Sequence, residues 1–205
     1  MIALALGIAT DAPAALQRMI PDYTAALQGE DGQACEDGSC EPETQVEART
    51  DFAQCARGSG KDCGHLPAIG ASEWLNALGE PHGTVTLVDF WSSSCVNCAR
   101  EIPEIERIYE KYKDAGLVVI GVHSPQQAHE RDASVVSGAA SRLGITYPVA
   151  LDPELEAFKA YGANAWPTHY LAGPDGQLRS MGRGTSGLEE QVRALLTEAG
   201  ATLPD

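Results

Sequence analysis

The stretch TVTLVDFWSSSCVNCAREIP, residues 84–103, decides the fold. Its first half is a β-branched and aromatic run, which predicts a buried strand over 84–91 that leads straight into Cys95-Val96-Asn97-Cys98. From Cys98 onward Ile102, Ile105, Ile108 or Tyr109, and Tyr112 recur at three- and four-residue spacing. Arg, Glu and Lys fill the other face, so the pattern predicts a helix, with Gly116 as its stop. Cys95 then falls at a helix N-terminus, where free N–H groups and the positive end of the helix dipole favour a thiolate over a thiol. Cys98 lies one turn deeper on the same face. This spacing lets the two sulfurs close a small disulfide with little backbone movement, so the pair suits cycling between dithiol and disulfide.

Working outward, 117–122 (LVVIGV) is a continuous apolar run of the kind found in strands covered on both faces. With the preceding strand and helix it makes a βαβ unit and a parallel pair. Residues 127–143 read as a second helix, 146–151 (TYPVAL) as a short strand, and 154–161 as a further turn or two of helix. The segments 168–172 and 177–182 flank Gly-Pro-Asp-Gly, a hairpin signal, and 188–198 is a closing amphipathic helix. Upstream, 65–83 contains a possible short helix at 72–78 (SEWLNAL) and packs along the sheet as the lead-in.

A chain of 205 residues with 43% hydrophobic content supports one core with an appended segment. Fourteen basic against 29 acidic residues, a net charge of −15, argue against nucleic acid and anionic membrane surfaces as partners. The apolar run 1–9 (MIALALGIA) is too short to span a bilayer and lacks the basic residues that precede a signal segment, so a soluble protein is expected. Residues 1–64 form an irregular N-terminal extension ahead of one domain over 65–205, because 29–64 has too few large apolar residues to build a core. That segment holds Cys35, Cys40, Cys55 and Cys63. Two structural disulfides in an oxidising compartment fit best, with three possible connectivities. A thiolate metal site has looser support from the spacing, and a second redox relay is the remaining reading.

The order Asp89, Trp91, Cys95, Cys98, Pro103 resembles the thioredoxin fold. The segments 119–126 (VIGVHSPQ), 143–152 (LGITYPVALD) and 160–177 (AYGANAWPTHYLAGPDGQ) narrow the likeness to the extracytoplasmic thioredoxin-like domain of DipZ-type proteins, relatives of the TlpA and ResA group. The resemblance covers about residues 65 to 200, the size of one domain. It implies an α/β fold with a mixed central sheet, helices on both faces and the TlpA-type insertion. It also implies a thiol-disulfide oxidoreductase whose redox-active disulfide needs no further cofactor. A CcdA-like membrane protein would donate its electrons, and extracytoplasmic protein disulfides, including those of apocytochromes, would receive them. A monomer is expected.

Cys95 is the expected nucleophile and Cys98 the resolving thiol. Asp89, inside an apolar strand, either lies against the core, where it can take the proton of Cys98, or points outward at the strand end. Pro167 reads as a turn proline or as a functional one; the resemblance implies a cis bond before it, leaving the backbone of Trp166 to pair with an extended substrate beside Cys95. Trp91 either packs the core or shields the site and meets substrate. His123 and His169 read as structural more readily than as metal ligands, and no metal is expected. Two other functions stay open. Ser92, three residues before Cys95, approaches the pattern of a peroxidase, and a copper-binding chaperone would need a histidine and both thiolates to converge.

Overall fold

The computed structural model describes residues 64–204 apart from Leu78. The extension carrying Cys35, Cys40, Cys55 and Cys63 lies outside the described residues, as does the apolar run at 1–9. Six strands, β1 Trp74–Leu75, β2 Val85–Trp91, β3 Leu117–His123, β4 Val149–Leu151, β5 Thr168–Ala172 and β6 Leu178–Gly182, form one sheet in the order β1-β4-β3-β2-β5-β6. β2, β3 and β4 run parallel, while β1, β5 and β6 pair antiparallel to their neighbours, so the sheet is mixed. Among the described residues the α-helices are α1 Val96–Tyr112, α2 Ala133–Leu143, α3 Glu156–Ala160 and α4 Leu188–Glu198. None among the described residues is long and apolar enough to cross a membrane.

Period-two alternation along β2 divides the core. Val85, Leu87 and Trp91 pack with Ile102, Ile105, Ile108 and Tyr112 of α1 and with buried residues of α2 and α4. Val88 and Phe90 turn to the opposite face, under Ala157 and Phe158 of α3, Tyr161 and Tyr170. Helices therefore cover both faces, and β2 in the middle carries the site at its C-terminal end. The three isoleucines of α1 are at most 1% exposed. Each contributes about 1.5–3 kcal/mol of burial, which holds the helix against the sheet despite Pro103 in its interior. Gly116 terminates the segment at φ 102°, where a Cβ would meet Thr84 Oγ1 at 2.9 Å.

Two expected helices take another form. Residues 74–75 are an edge strand paired with 149–150. Asn76 ends it at φ 61°, with Nδ2 donating to the carbonyls of Ile145 and Tyr147, and that left-handed backbone is incompatible with a helix over 72–78. The stretch 127–143 is divided at Asp132, which is extended and accepts from Ser134 N at 2.8 Å, so a 3₁₀ turn Ala128–Arg131 precedes α2. β4 begins only after Pro148, which lacks the N–H that pairing needs. The lead-in runs along the sheet edge, with Gly64 O accepting from Leu178 N and Pro67 O from the Tyr161 hydroxyl.

Candidate active site

At its C-terminal end β2 passes through Ser92, Ser93 and Ser94 into α1. Cys95 is the N-cap residue of α1; its backbone is extended and its Sγ accepts from the Cys98 N–H at 3.1 Å. The two sulfurs are joined as a disulfide, with Cα atoms 5.3 Å apart. Cys95 is half-buried, whereas Cys98, facing the sheet, is 1% exposed. Val96 between them is 65% exposed, the large hydrophobic side chain left in solvent among the described residues.

The loop before Cys95 is held by Glu130, from the 3₁₀ turn after β3. Its carboxylate accepts from the hydroxyls of Ser92 at 2.9 Å and Ser93 at 2.9 Å, and from the backbone N–H of Ser94 at 2.8 Å. On its other side it accepts from Gln126 N and Gln127 N. Burial opposes the charge, but the donors from Ser94, Gln127, Gln126 and Ser93 overcome it and lower the Glu130 pKa to about 2. The carboxylate thus stays ionised without a paired cation among the described residues, bonded to the residue that precedes Cys95. His123, at the end of β3, adds another tie: its Nε2 accepts from Ser93 N at 3.1 Å. Burial pushes its pKa down to about 4, although the Glu130 charge works the other way, so it is a neutral acceptor at physiological pH.

Beneath α1, β2 and β5 place Asp89 directly across from His169. Both lie on the face packed against α1, and both are nearly inaccessible. Nδ1 of His169 is 3.0 Å from Oδ1 of Asp89, close enough for an ion pair but off the line of a directed hydrogen bond. Its Nε2 is 2.8 Å from Oε2 of Glu101, one turn after Cys98 on α1. Burial disfavours the imidazolium, but the carboxylates at its two nitrogens outweigh burial and raise its pKa to about 9. The same hydrogen bond lowers that of Glu101. On the far side of Asp89 stands Gly121 in register, where a Cβ would come within 2.9 Å of the Tyr147 ring and 3.1 Å of Trp91 Nε1. Glycine there lets both rings close over the backbone beside the buried acid.

Trp91, which reads either as core packing or as a shield that meets substrate, is fully buried in the core against α1 and stands edge-on to His123 at 4.8 Å. The peptide bond between Trp166 and Pro167 is cis. Thr168 pairs with Phe90, so Pro167 stands beside the end of β2 that feeds the cysteine loop. The Trp166 ring is stacked on Phe158 at 4.4 Å, which leaves only its backbone for the expected role. Pro167 therefore stands at the end of the sheet from which β2 runs on into Cys95 and Cys98, and Asp89 lies two residues back from that end. Glu130, Glu101 and the pairing of His169 were absent from the sequence reading: in a chain with 29 acidic residues, nothing local separates a buried carboxylate from a solvated one. Ser92 donates to Glu130, and the two histidines hold Ser93 and the carboxylates, so no contact here favours the peroxidase or copper readings.

Residues 74–181 match the model of the AhpC/TSA family. Over 99% of its length the chain is 39% identical to "Protein DipZ" of Mycobacterium tuberculosis, of which it spans 32%, about a third of that protein. It is 32% identical to "Thiol-disulfide oxidoreductase YkuV" of Bacillus subtilis over 63% of the chain and 91% of that protein. Among solved structures, a thioredoxin-like protein in its oxidised form superposes with a TM-score of 0.59 at 30% identity, covering 65% of this chain and 95% of the other.

Proposed function

This chain belongs to the AhpC/TSA family and is a thiol-disulfide oxidoreductase with a thioredoxin-like fold, and we propose that it runs as a reductase of extracytoplasmic protein disulfides. The observation that carries the reading is the Cys95–Cys98 disulfide, with one sulfur half-exposed at the start of α1 and the other buried behind it. Cys95 as thiolate attacks a client disulfide; the first client thiolate leaves, and a mixed disulfide forms. Cys98 then gives up its proton, attacks Cys95 Sγ and expels the second client thiolate, closing the intramolecular bond. Asp89, under the first turns of α1, is the acceptor for that proton. The client lies extended along the backbone of Trp166 and Pro167, with Val96 against its apolar side chains.

Direction follows from how well the reduced form is stabilised. Neither Val96 nor Asn97 brings positive charge to Cys95, and the buried Glu130 carboxylate opposes the thiolate. The dithiol therefore gains little, which is the condition for a reductant. Electrons would come from a CcdA-like membrane donor and pass to extracytoplasmic clients such as apocytochromes, with 65–205 as the working domain, 1–64 as a disulfide-stapled appendage, and no cofactor beyond the cysteine pair. Four further cysteines in a polar segment support an oxidising compartment. Equilibration with glutathione and dithiothreitol buffers tests the direction. A potential near that of thioredoxin, about −270 mV, is expected, and one near the strong oxidants, about −120 mV, would overturn the reductase reading.

A further inference from the structure

A buried carboxylate that takes a proton from Cys98 must also release it, and Asp89 is sealed in by β2, β3 and α1, with its side chain 1% exposed. His169, opposite it on β5, has a side chain 5% exposed, and Glu101 on the other ring nitrogen is 21% exposed. One imidazole therefore spans the step from an enclosed acid to one in contact with water. Glu101 is itself fixed by accepting from Gly184 N at 3.2 Å. A cavity of about 440 Å³ between β5, β6 and α4 also reaches His169. The charged and titratable groups around the pair are Glu101 from α1, Tyr147 before β4, and Arg179 and Arg183 from the β6 side, and Cys98 lies one turn before Glu101 on the same helix. Arg179 is taken up by Asp175 and Glu198.

We infer that His169 is a positioning residue for the Cys98 step, answering the proton taken up by Asp89 by releasing one through Glu101. The inference rests on the exchange roles proposed for Cys95 and Cys98. As Cys98 Sγ attacks Cys95 Sγ, its proton passes to Asp89, the new S–S bond forms, and the client sulfur leaves with the electron pair of the bond that breaks. With Asp89 neutral, its charge no longer holds the His169 imidazolium, and the proton on Nε2 moves to Glu101 and on to water. Asp89 is left protonated and the ring neutral, one proton has gone to solvent in exchange for the one taken from sulfur, and the two electrons come from the protein's own dithiol. In the reverse direction the same path brings a proton in to the Cys98 thiolate. An ordinary core histidine would need neither carboxylate.

The test is the reaction of the reduced full chain with a symmetrical aromatic disulfide that releases a coloured thiolate twice, first on attack by Cys95 and then on resolution by Cys98, followed by stopped flow across neutral and mildly alkaline pH. H169Q should leave the first release within about two-fold and slow the second about ten-fold or more, with added imidazole buffer restoring part of it. E101Q keeps the Asp89–His169 pair and should slow the second release alone, less severely; it decides the matter if H169Q fails to fold. A second release in both variants as fast as in the parent at every pH, or equal slowing of both releases, overturns the relay. Absence of any first release in the parent protein would instead overturn the exchange reading itself.

Discussion

Glu130 Oε1 accepts, at 2.8 Å, the backbone N–H of Ser94, the residue before the half-buried Cys95, and this carboxylate is buried and ionised. The contact does two things at once. It holds the loop that aims the sulfur, and it keeps a negative charge where the helix end would otherwise favour a thiolate. On the proposed exchange chemistry, the loop geometry and the redox poise of the cysteine pair are tied to the same side chain.

Replacing Glu130 by Gln separates the two roles. Removing the charge should lower the Cys95 thiol pKa and raise the reduction potential by about 30 mV, equivalent to about 1.4 kcal/mol for a two-electron couple. Weaker acceptance from Ser92, Ser93 and the turn should cost about 1–3 kcal/mol of stability. An unchanged or lower potential would show that the carboxylate acts on geometry alone.

The asymmetry of burial predicts the order of reaction. In the reduced protein, alkylation at mildly acidic pH should label Cys95 well before Cys98, which is 1% exposed. Cys98→Ala should accumulate mixed disulfides with clients while Cys95→Ala accumulates none. Comparable trapping by the two variants, resolved on non-reducing gels, would count against the assignment.

Stability should peak near neutrality, and three of the shifted groups give the sign on each side. His169 has a folded pKa raised to about 9, so its contribution is whole below about 6.5, its unfolded value, and is lost as pH climbs through 9. His123, depressed to about 4, costs stability as pH falls from about 6.5, because only the unfolded chain then binds the proton. Glu130, depressed to about 2, adds a further loss below about 4.5. Denaturant midpoints across pH should trace this dome, with a loss of the order of 2–3 kcal/mol on the alkaline limb that H169Q flattens. An alkaline limb of equal depth in H169Q would place that titration elsewhere.

The upstream cysteines should be separable from the active pair. Replacing Cys35, Cys40, Cys55 and Cys63 by Ser should make residues 29–64 more sensitive to protease while disulfide reduction by 65–205 continues, since loop-closing bridges act mainly on stability, at about 2–4 kcal/mol each. A folded variant that has lost turnover would mean that those cysteines pass electrons.

Much of the fold was legible in the sequence because it is written in periodicity. The apolar runs at 84–91 and 117–122, the three- and four-residue spacing from Cys98 to Tyr112, and the Gly-Pro-Asp-Gly hairpin are local patterns, and each element formed within a few residues of where the pattern lies. Local pattern failed where pairing partners decide the outcome. Trp74 and Leu75 read as a helical turn until β4 offers them an edge, and Asp132 interrupts a helix-like stretch by capping the second part of it.

By itself, then, the sequence determined the Cys95–Cys98 pair. Two cysteines at this spacing, after a strand and at the start of a helix, carry their chemistry in the local chain, because the helix end that favours the thiolate is built from the neighbouring residues. Only the tertiary structure decided what surrounds them. Asp89 and His169 are 80 positions apart in the chain and become neighbours through an antiparallel register, and Glu130 reaches Ser94 only because β3 and its 3₁₀ turn come back past the end of β2. Whether a carboxylate is a solvated surface charge or a buried, fully bonded acid depends on which donors the fold brings to it, and those donors come from distant segments.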